Sequence, residues 1–247
     1  MPTSTFPDTL ASTLARSPGN PLVTFYDDAT GERVELSVAT YANWVAKTAG
    51  LLQDELMVEH GATVLVDLPT HWLGPVWLGA AWSMGLALTD SVEVADEVAA
   101  DVVVCGPGSV ADHAARGSDA VVVALSLLPM GAAFRDPLPD GVVDYGRVVW
   151  GQPDAFFPDE PPAPTDVAWR GTDATRTQAE LLALPPDTGA RLLTDANPCT
   201  ADGLVTLLGP LLAGSGTVWV RNPAADGWER RAAAEQATRV VRAQPRS

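Results

Sequence analysis

Short apolar runs alternate with helix-length stretches through the first half of the chain. Leu22 to Tyr26 and Arg33 to Leu36 read as two strands joined by Asp27-Asp28-Ala29-Thr30-Gly31, a polar turn of hairpin type. Ser37 offers a side-chain oxygen to cap the helix that follows, in which Tyr41, Val45, Ala49, Leu52 and Leu56 recur at helical spacing. The strand Thr63 to Asp67 comes next, then a helix from Thr70 that is apolar on every face and therefore buried. It breaks at Gly85 and passes into a short inner strand. Asp101 to Cys105 is a further strand, Ser109 to Ala115 a short helix, and Ala120 to Leu125 another strand. Apolar strands separated by helices predict an α/β fold, with parallel sheets flanked by helices on both faces.

From Leu127 to Thr165 the pattern changes. Eight prolines fall within these 39 residues, too many for helices or central strands. The segment reads as a long crossover anchored by Phe134, Tyr145, Trp150, Phe156 and Phe157, with extended pieces at Val142–Val143 and Arg147–Trp150 along a sheet edge. Alternation then returns. Asp166 to Trp169 and Arg191 to Thr194 read as strands, Thr200 to Ala213 as an apolar helix ending at Gly214, and Thr217 to Val220 as a strand. Asp226 with Glu229 three residues on forms a capping box for a last helix reaching about Val241, before the fraying tail Ala243 to Ser247. The expected organisation is an N-terminal α/β portion over residues 1–126, a proline-rich crossover over 127–165 and a smaller α/β portion over 166–247, together one bilobed unit.

Charge narrows the partners. Fifteen basic residues against 31 acidic ones give a formal charge of −16, which argues against nucleic acid or an anionic membrane. Lys47 is the single lysine, and it lies within a predicted helix. Trp72 to Leu88 is uncharged for 17 residues, but Gly74, Pro75, Gly79 and Gly85 interrupt it and no Lys or Arg flanks it, so it reads as a core element and not a membrane span. Cys105 and Cys199 are far apart in apolar surroundings, as expected of a reduced cytoplasmic protein, and the N-terminus lacks a signal-peptide pattern.

Candidate chemistry centres on Asp166 to Leu184. A strand runs into the Gly/Thr-rich stretch Arg170-Gly171-Thr172-Asp173-Ala174-Thr175-Arg176 and then into a helix, the frame of a phosphate-gripping loop. The candidates for holding an anion or phosphate are Gly171, Thr172, Thr175 and Arg176, while Asp173 would repel one. Gly106-x-Gly108-x-x-Ala111 after a strand echoes a dinucleotide fingerprint, but the next strand ends in Ser126-Leu127 without the acidic residue a ribose needs. His60, His71 and His113 are scattered and lack partners at metal-ligand spacing. His71 follows a strand end, where sites on open sheets form. Cys199, expected at a helix N-terminus, would have a lowered thiol pKa there.

The stretch from Val23 to Leu88 resembles the N-terminal segment of AMP-forming adenylating enzymes (acyl-CoA synthetases, adenylation domains, luciferases). Leu36, Ser37 and Tyr41 match the helix entry, Leu68-Pro69 the strand end, and Gly85 the close of the small-residue helix. Pro198, Gly203, Leu204, Pro210, Leu211, Leu212, Gly214 and Val218 are similar to a later stretch of the same family. Length and the proline-rich middle look like a short actinobacterial family distantly similar to these enzymes. The resemblance implies a truncated form of their N-terminal subdomains, with ATP or AMP as the cofactor such a fold would take. It also implies what is missing. The Gly-x-Pro-Lys-Gly part of the phosphate loop is absent, Cys199 to Asp202 replace the aromatic-His motif, and the Mg²⁺-binding and lysine-bearing motifs would lie beyond Ser247. The expectation leans away from an adenylating enzyme and towards a binding or interaction module, with a reworked nucleotide or acyl-adenylate site, or a partner chain, as the alternative.

Overall fold

The computed structural model describes residues 4–184 and 190–243; the expected fraying from residue 244 onward lies outside them. A helix the sequence pattern did not flag, α1 (Phe6–Arg16), opens the chain; Thr5 and Asp8 close its capping box. Strands β1 (Pro21–Asp27) and β2 (Glu32–Ser37) form the expected hairpin. Ser37 Oγ accepts the Thr40 N–H at 3.1 Å and starts α2 (Val38–Gly50), which runs on into a π-helical turn at Leu51–Glu55. Then come β3 (Thr63–Asp67), α3 (Leu73–Ser83), β4 (Ala87–Thr89), α4 (Val92–Glu97), β5 (Val102–Cys105), α5 (Val110–Ala115) and β6 (Val121–Ala124). The crossover adds β7 (Val143–Asp144) and α6 (Tyr145–Val148). The last third holds β8 (Val167–Arg170), β9 (Thr175–Thr177), α7 (Gln178–Leu182), β10 (Leu192–Thr194), α8 (Val205–Leu212), β11 (Thr217–Arg221), α9 (Trp228–Ala234) and β12 (Arg239–Val241).

Two mixed, mostly parallel sheets result, as the α/β reading anticipated. The larger has the order β7-β6-β5-β3-β4-β8-β9, the smaller β12-β10-β11-β1-β2. Among the described strands only the outer hairpin partners β9 and β2 run antiparallel. The smaller sheet joins the two ends of the chain, because β1 pairs in parallel with β11, Val23 opposite Thr217. Glu235, just after α9, ties this sheet together: it accepts hydrogen bonds from Tyr26, from Arg33 at 2.9 Å and from Arg191 at 3.0 Å.

The buried helix α3 lies within the main core, all eleven of its residues inaccessible. Such a helix has no polar stripe because every face meets protein. Gly79 allows the close approach of α2: a Cβ there would sit 2.5 Å from Tyr41 Oη, which donates to Pro75 O at 2.8 Å. Trp72, Trp77 and Trp82 are fully buried, each contributing about 2–3 kcal/mol of hydrophobic stabilisation. Gln178, also buried, receives the Phe6 N–H through Oε1 (2.9 Å) and donates from Nε2 to Trp82 O (2.8 Å), fastening α1 and α7 to α3.

Three local expectations are corrected. Arg147–Trp150 is helical, α6 followed by a 3₁₀ turn at Val149–Gly151, because Asp144 caps the segment by accepting the Gly146 N–H. The apolar helix expected from Thr200 starts at Val205; before it, Thr200 Oγ1 donates to Asn197 O and holds a turn. The final helix does not reach Val241. Its N-cap is Gly227 without a side-chain bond, it stops at Ala234, and Gln236 in the left-handed region (φ 52°) turns the chain so that β12 pairs with β10. Pairing with an open sheet edge outweighs the helical signal of Asp226 and Glu229.

Candidate functional site

The segment expected to hold a phosphate is a β-hairpin. Strands β8 and β9 pair antiparallel, Arg170 opposite Thr175 and Trp169 opposite Arg176, and the Gly171 N–H is spent on Ala174 O at 3.0 Å. Gly171, Thr172, Thr175 and Arg176 therefore stand on and beside a tight turn, with Thr172, Thr175 and Arg176 exposed. The helix that follows begins with its own capping box, Thr177 and Glu180, so its first N–H groups are occupied by protein.

A cleft of about 1090 Å³ opens elsewhere, where the carboxyl ends of strands from both sheets meet. Asp27 ends β1 and Arg221 ends β11; Asp67 ends β3, Gly106 follows β5 and Ser126 follows β6. Ligands of parallel α/β sheets settle outside such strand ends. A second cavity, of about 570 Å³, lies by Ala62, Asp101 and Ala120, at the amino ends of β3, β5 and β6; its cation Arg116 is already held by Asp96.

One row of the smaller sheet supplies the charges of the cleft. Glu32 on β2 stands opposite Asp27 on β1, which stands opposite Arg221 on β11. Residues paired this way project from the same face. Asp27 Oδ1 accepts from the Ala29 N–H and from Asn222 Nδ2, both at 2.9 Å. Glu32 Oε1 is buried without a hydrogen-bond partner among the described residues, and burial, then the Asp27 charge, push its carboxyl above the usual range while Arg221 pulls it down. Arg221 makes no ion pair among the described residues; its field reaches Glu32 and His71. Arg33, also at the cleft, is engaged by Glu35 at 2.6 Å and by Glu235. Asp67 is taken by His113 Nε2 at 2.9 Å.

His71 lies under this row, 1% exposed. Its ring packs on Phe25, two residues before Asp27 on the same face of β1, with centroids 4.9 Å apart. Nδ1 accepts the Leu73 N–H at 3.2 Å, which fixes the proton of the neutral ring on Nε2, and that buried Nε2–H has no partner among the described residues. Burial and the Arg221 charge hold its pKa down to about 3, against the pull of Asp27.

Cys199 is corrected: it lies in a turn before α8, fully buried, and burial pushes its thiol well above the ordinary range. Burial pushes Cys105 up to about 12. Lys47 is committed to Gln152 O and, at 3.0 Å, to Asp154. Among the described residues no cluster of three or more His, Cys, Asp or Glu side chains is arranged for a metal ion, and no helix is long and apolar enough to cross a membrane. The row Glu32–Asp27–Arg221 escaped the sequence reading because its members meet only through strand register; the sole hint was that each borders a strand end.

Over 234 residues, 92% of this chain and 94% of the relative, the sequence is 37% identical to a Mycobacterium tuberculosis (strain ATCC 25618 / H37Rv) protein described as a TIGR03089 family protein. The chain belongs to the TIGR03089 family. No family model matches it. Among solved structures, this family member is similar to a Brucella canis acyl-CoA synthetase (TM-score 0.75, 18% identity, 97% of this chain and 47% of that one). It is also similar to the anthranilate CoA ligase AuaEII in complex with anthranoyl-AMP (0.70, 10%, 94% and 47%) and to coronafacic acid ligase from Pectobacterium brasiliense (0.72, 9%, 97% and 50%). The chain spans about half the length of these structures, and its fold is that of an acyl-CoA synthetase-like N-terminal portion.

Proposed function

We propose that this TIGR03089 family member keeps the adenylating scaffold as a small-molecule binding module and does not itself form adenylates. The observation that carries the reading is the hairpin at Arg170 to Thr175. Adenylation must stabilise charge developing on a phosphoryl group, which takes converging N–H donors and cations. The turn has four residues between paired strands, spends its Gly171 N–H internally and carries Asp173 at the tip. The single lysine is bound elsewhere. The cleft at the strand ends is the site such a module would use; the formal charge of −16 argues against a nucleic-acid partner, and two free, buried thiols fit a reducing, cytoplasmic setting. The test is ATP–pyrophosphate exchange by the purified protein with Mg²⁺ and a panel of carboxylic acids. No exchange above background is expected; exchange with any acid overturns the reading.

A second reading is favoured by the exposed hydroxyls of Thr172 and Thr175 beside Arg176: a reworked anion site at the hairpin tip, taking ATP, AMP or an acyl-adenylate with Gly171 at its base. Calorimetry with these ligands on wild type and Arg176→Ala decides it, since equal or absent binding in both removes it. A partner chain supplying further parts of a site would co-purify from the native host, and a lone monomer there counts against it.

A further inference from the structure

We propose that the row Glu32–Asp27–Arg221 binds the head of a free α-amino acid with an apolar side chain, its carboxylate on Arg221 and its ammonium between Asp27 and Glu32. The proposal deepens the binding-module reading and rests on the cleft being its site. Three observations support it. Among the described residues the row carries one cation without an ion pair and two carboxylates with acceptor capacity left: Oε1 of Glu32 is buried and unpartnered, and Asp27 has only Oδ1 engaged. The other charged groups of the cleft are already paired, Arg33 with Glu35 and Glu235, and Asp67 with His113.

A simple anion drawn to Arg221 would face repulsion from the two carboxylates, and a simple cation would face Arg221. A zwitterion meets both signs at once, and neighbouring residues of a sheet row stand about 5 Å apart, within reach of an α-ammonium and its carboxylate. Leu68, Leu127, Leu128 and Pro129 line the same cleft and offer apolar surface to a side chain.

Isothermal calorimetry on the wild-type chain tests this with L-leucine, L-methionine and L-phenylalanine, up to about 10 mM. Each is compared with its N-acetyl and carboxamide derivatives, and leucine also with 4-methylpentanoate. At least one free amino acid is expected to bind, and each derivative lacking a charge to bind it at least about tenfold more weakly, the worth of one charge-assisted hydrogen bond. Arg221→Gln and Glu32→Gln should each weaken the amino acid by a similar factor, while only Arg221→Gln should weaken 4-methylpentanoate. The derivative series on wild type keeps the test decisive if a variant does not fold. No binding by any of the three, or equal binding of an amino acid and its amide, overturns the assignment. Pyrophosphate exchange is run in parallel: binding together with exchange sinks the non-adenylating reading and leaves this one, and neither binding nor exchange does the reverse.

Discussion

Acid should destabilise this protein through His71 before most carboxylates are titrated. The ring is buried neutral, with a folded pKa of about 3 against an ordinary value of about 6.5. A base whose folded pKa is depressed binds its proton better when unfolded. Its contribution to stability is therefore complete above about pH 6.5 and falls as pH drops towards 3. The two values give a loss of about 2 kcal/mol at about pH 5 relative to about pH 8. Measurement near pH 5 also stays clear of the sequence pI of about 4.3, where solubility suffers. The control is His71→Asn, whose amide oxygen can still accept the Leu73 N–H but whose side chain does not titrate. Urea unfolding of both proteins at the two pH values gives a difference of differences in which the remaining groups cancel. The wild type should lose about 2 kcal/mol more than the variant between about pH 8 and 5. A wild-type-minus-variant gap that stays constant across that range would refute the assignment of a buried, neutral His71.

Two further outcomes follow from burial elsewhere. Glu235 is largely inaccessible; burial opposes its charge, but hydrogen bonds from Tyr26, Arg33 and Arg191 hold its carboxyl below the usual range. Glu235→Ala removes the nearer carboxylate of Arg191, leaving it Glu35 at 4.0 Å, and should cost about 2 kcal/mol in denaturant unfolding, a gap that narrows as acid protonates the wild-type carboxylate; an unchanged midpoint would contradict the network. Both thiols, Cys105 and Cys199, should react with a disulfide reagent only on unfolding, and a thiol titrating rapidly in the native protein would contradict their burial.

The sequence carried the architecture where local signals and packing agree. The hairpin of β1 and β2, the Ser37 cap, the uniformly buried α3 and the apolar strands β3, β5 and β6 stand where alternation and helical spacing placed them. Agreement failed where a distant partner decides. Residues 239–241 carry a helical signal from Asp226 and Glu229, yet the free edge of β10 draws them into a sheet. Asp166 to Leu184 reads as strand, loop and helix, but Thr175–Thr177 finds β8 beside it and closes the loop into a hairpin. The cleft was the least legible part. Glu32, Asp27 and Arg221 become neighbours through a pairing that spans nearly the whole chain, and no local window holds all three.

That pairing has a bearing on how the molecule is made. On the ribosome the first hairpin emerges early, but the strand that completes its other side lies beyond residue 216. Until that strand emerges, β1 presents an open row of peptide groups along one edge. The nascent chain should thus rely on late, long-range closure, which makes it slow to mature and dependent on protection from aggregation during synthesis.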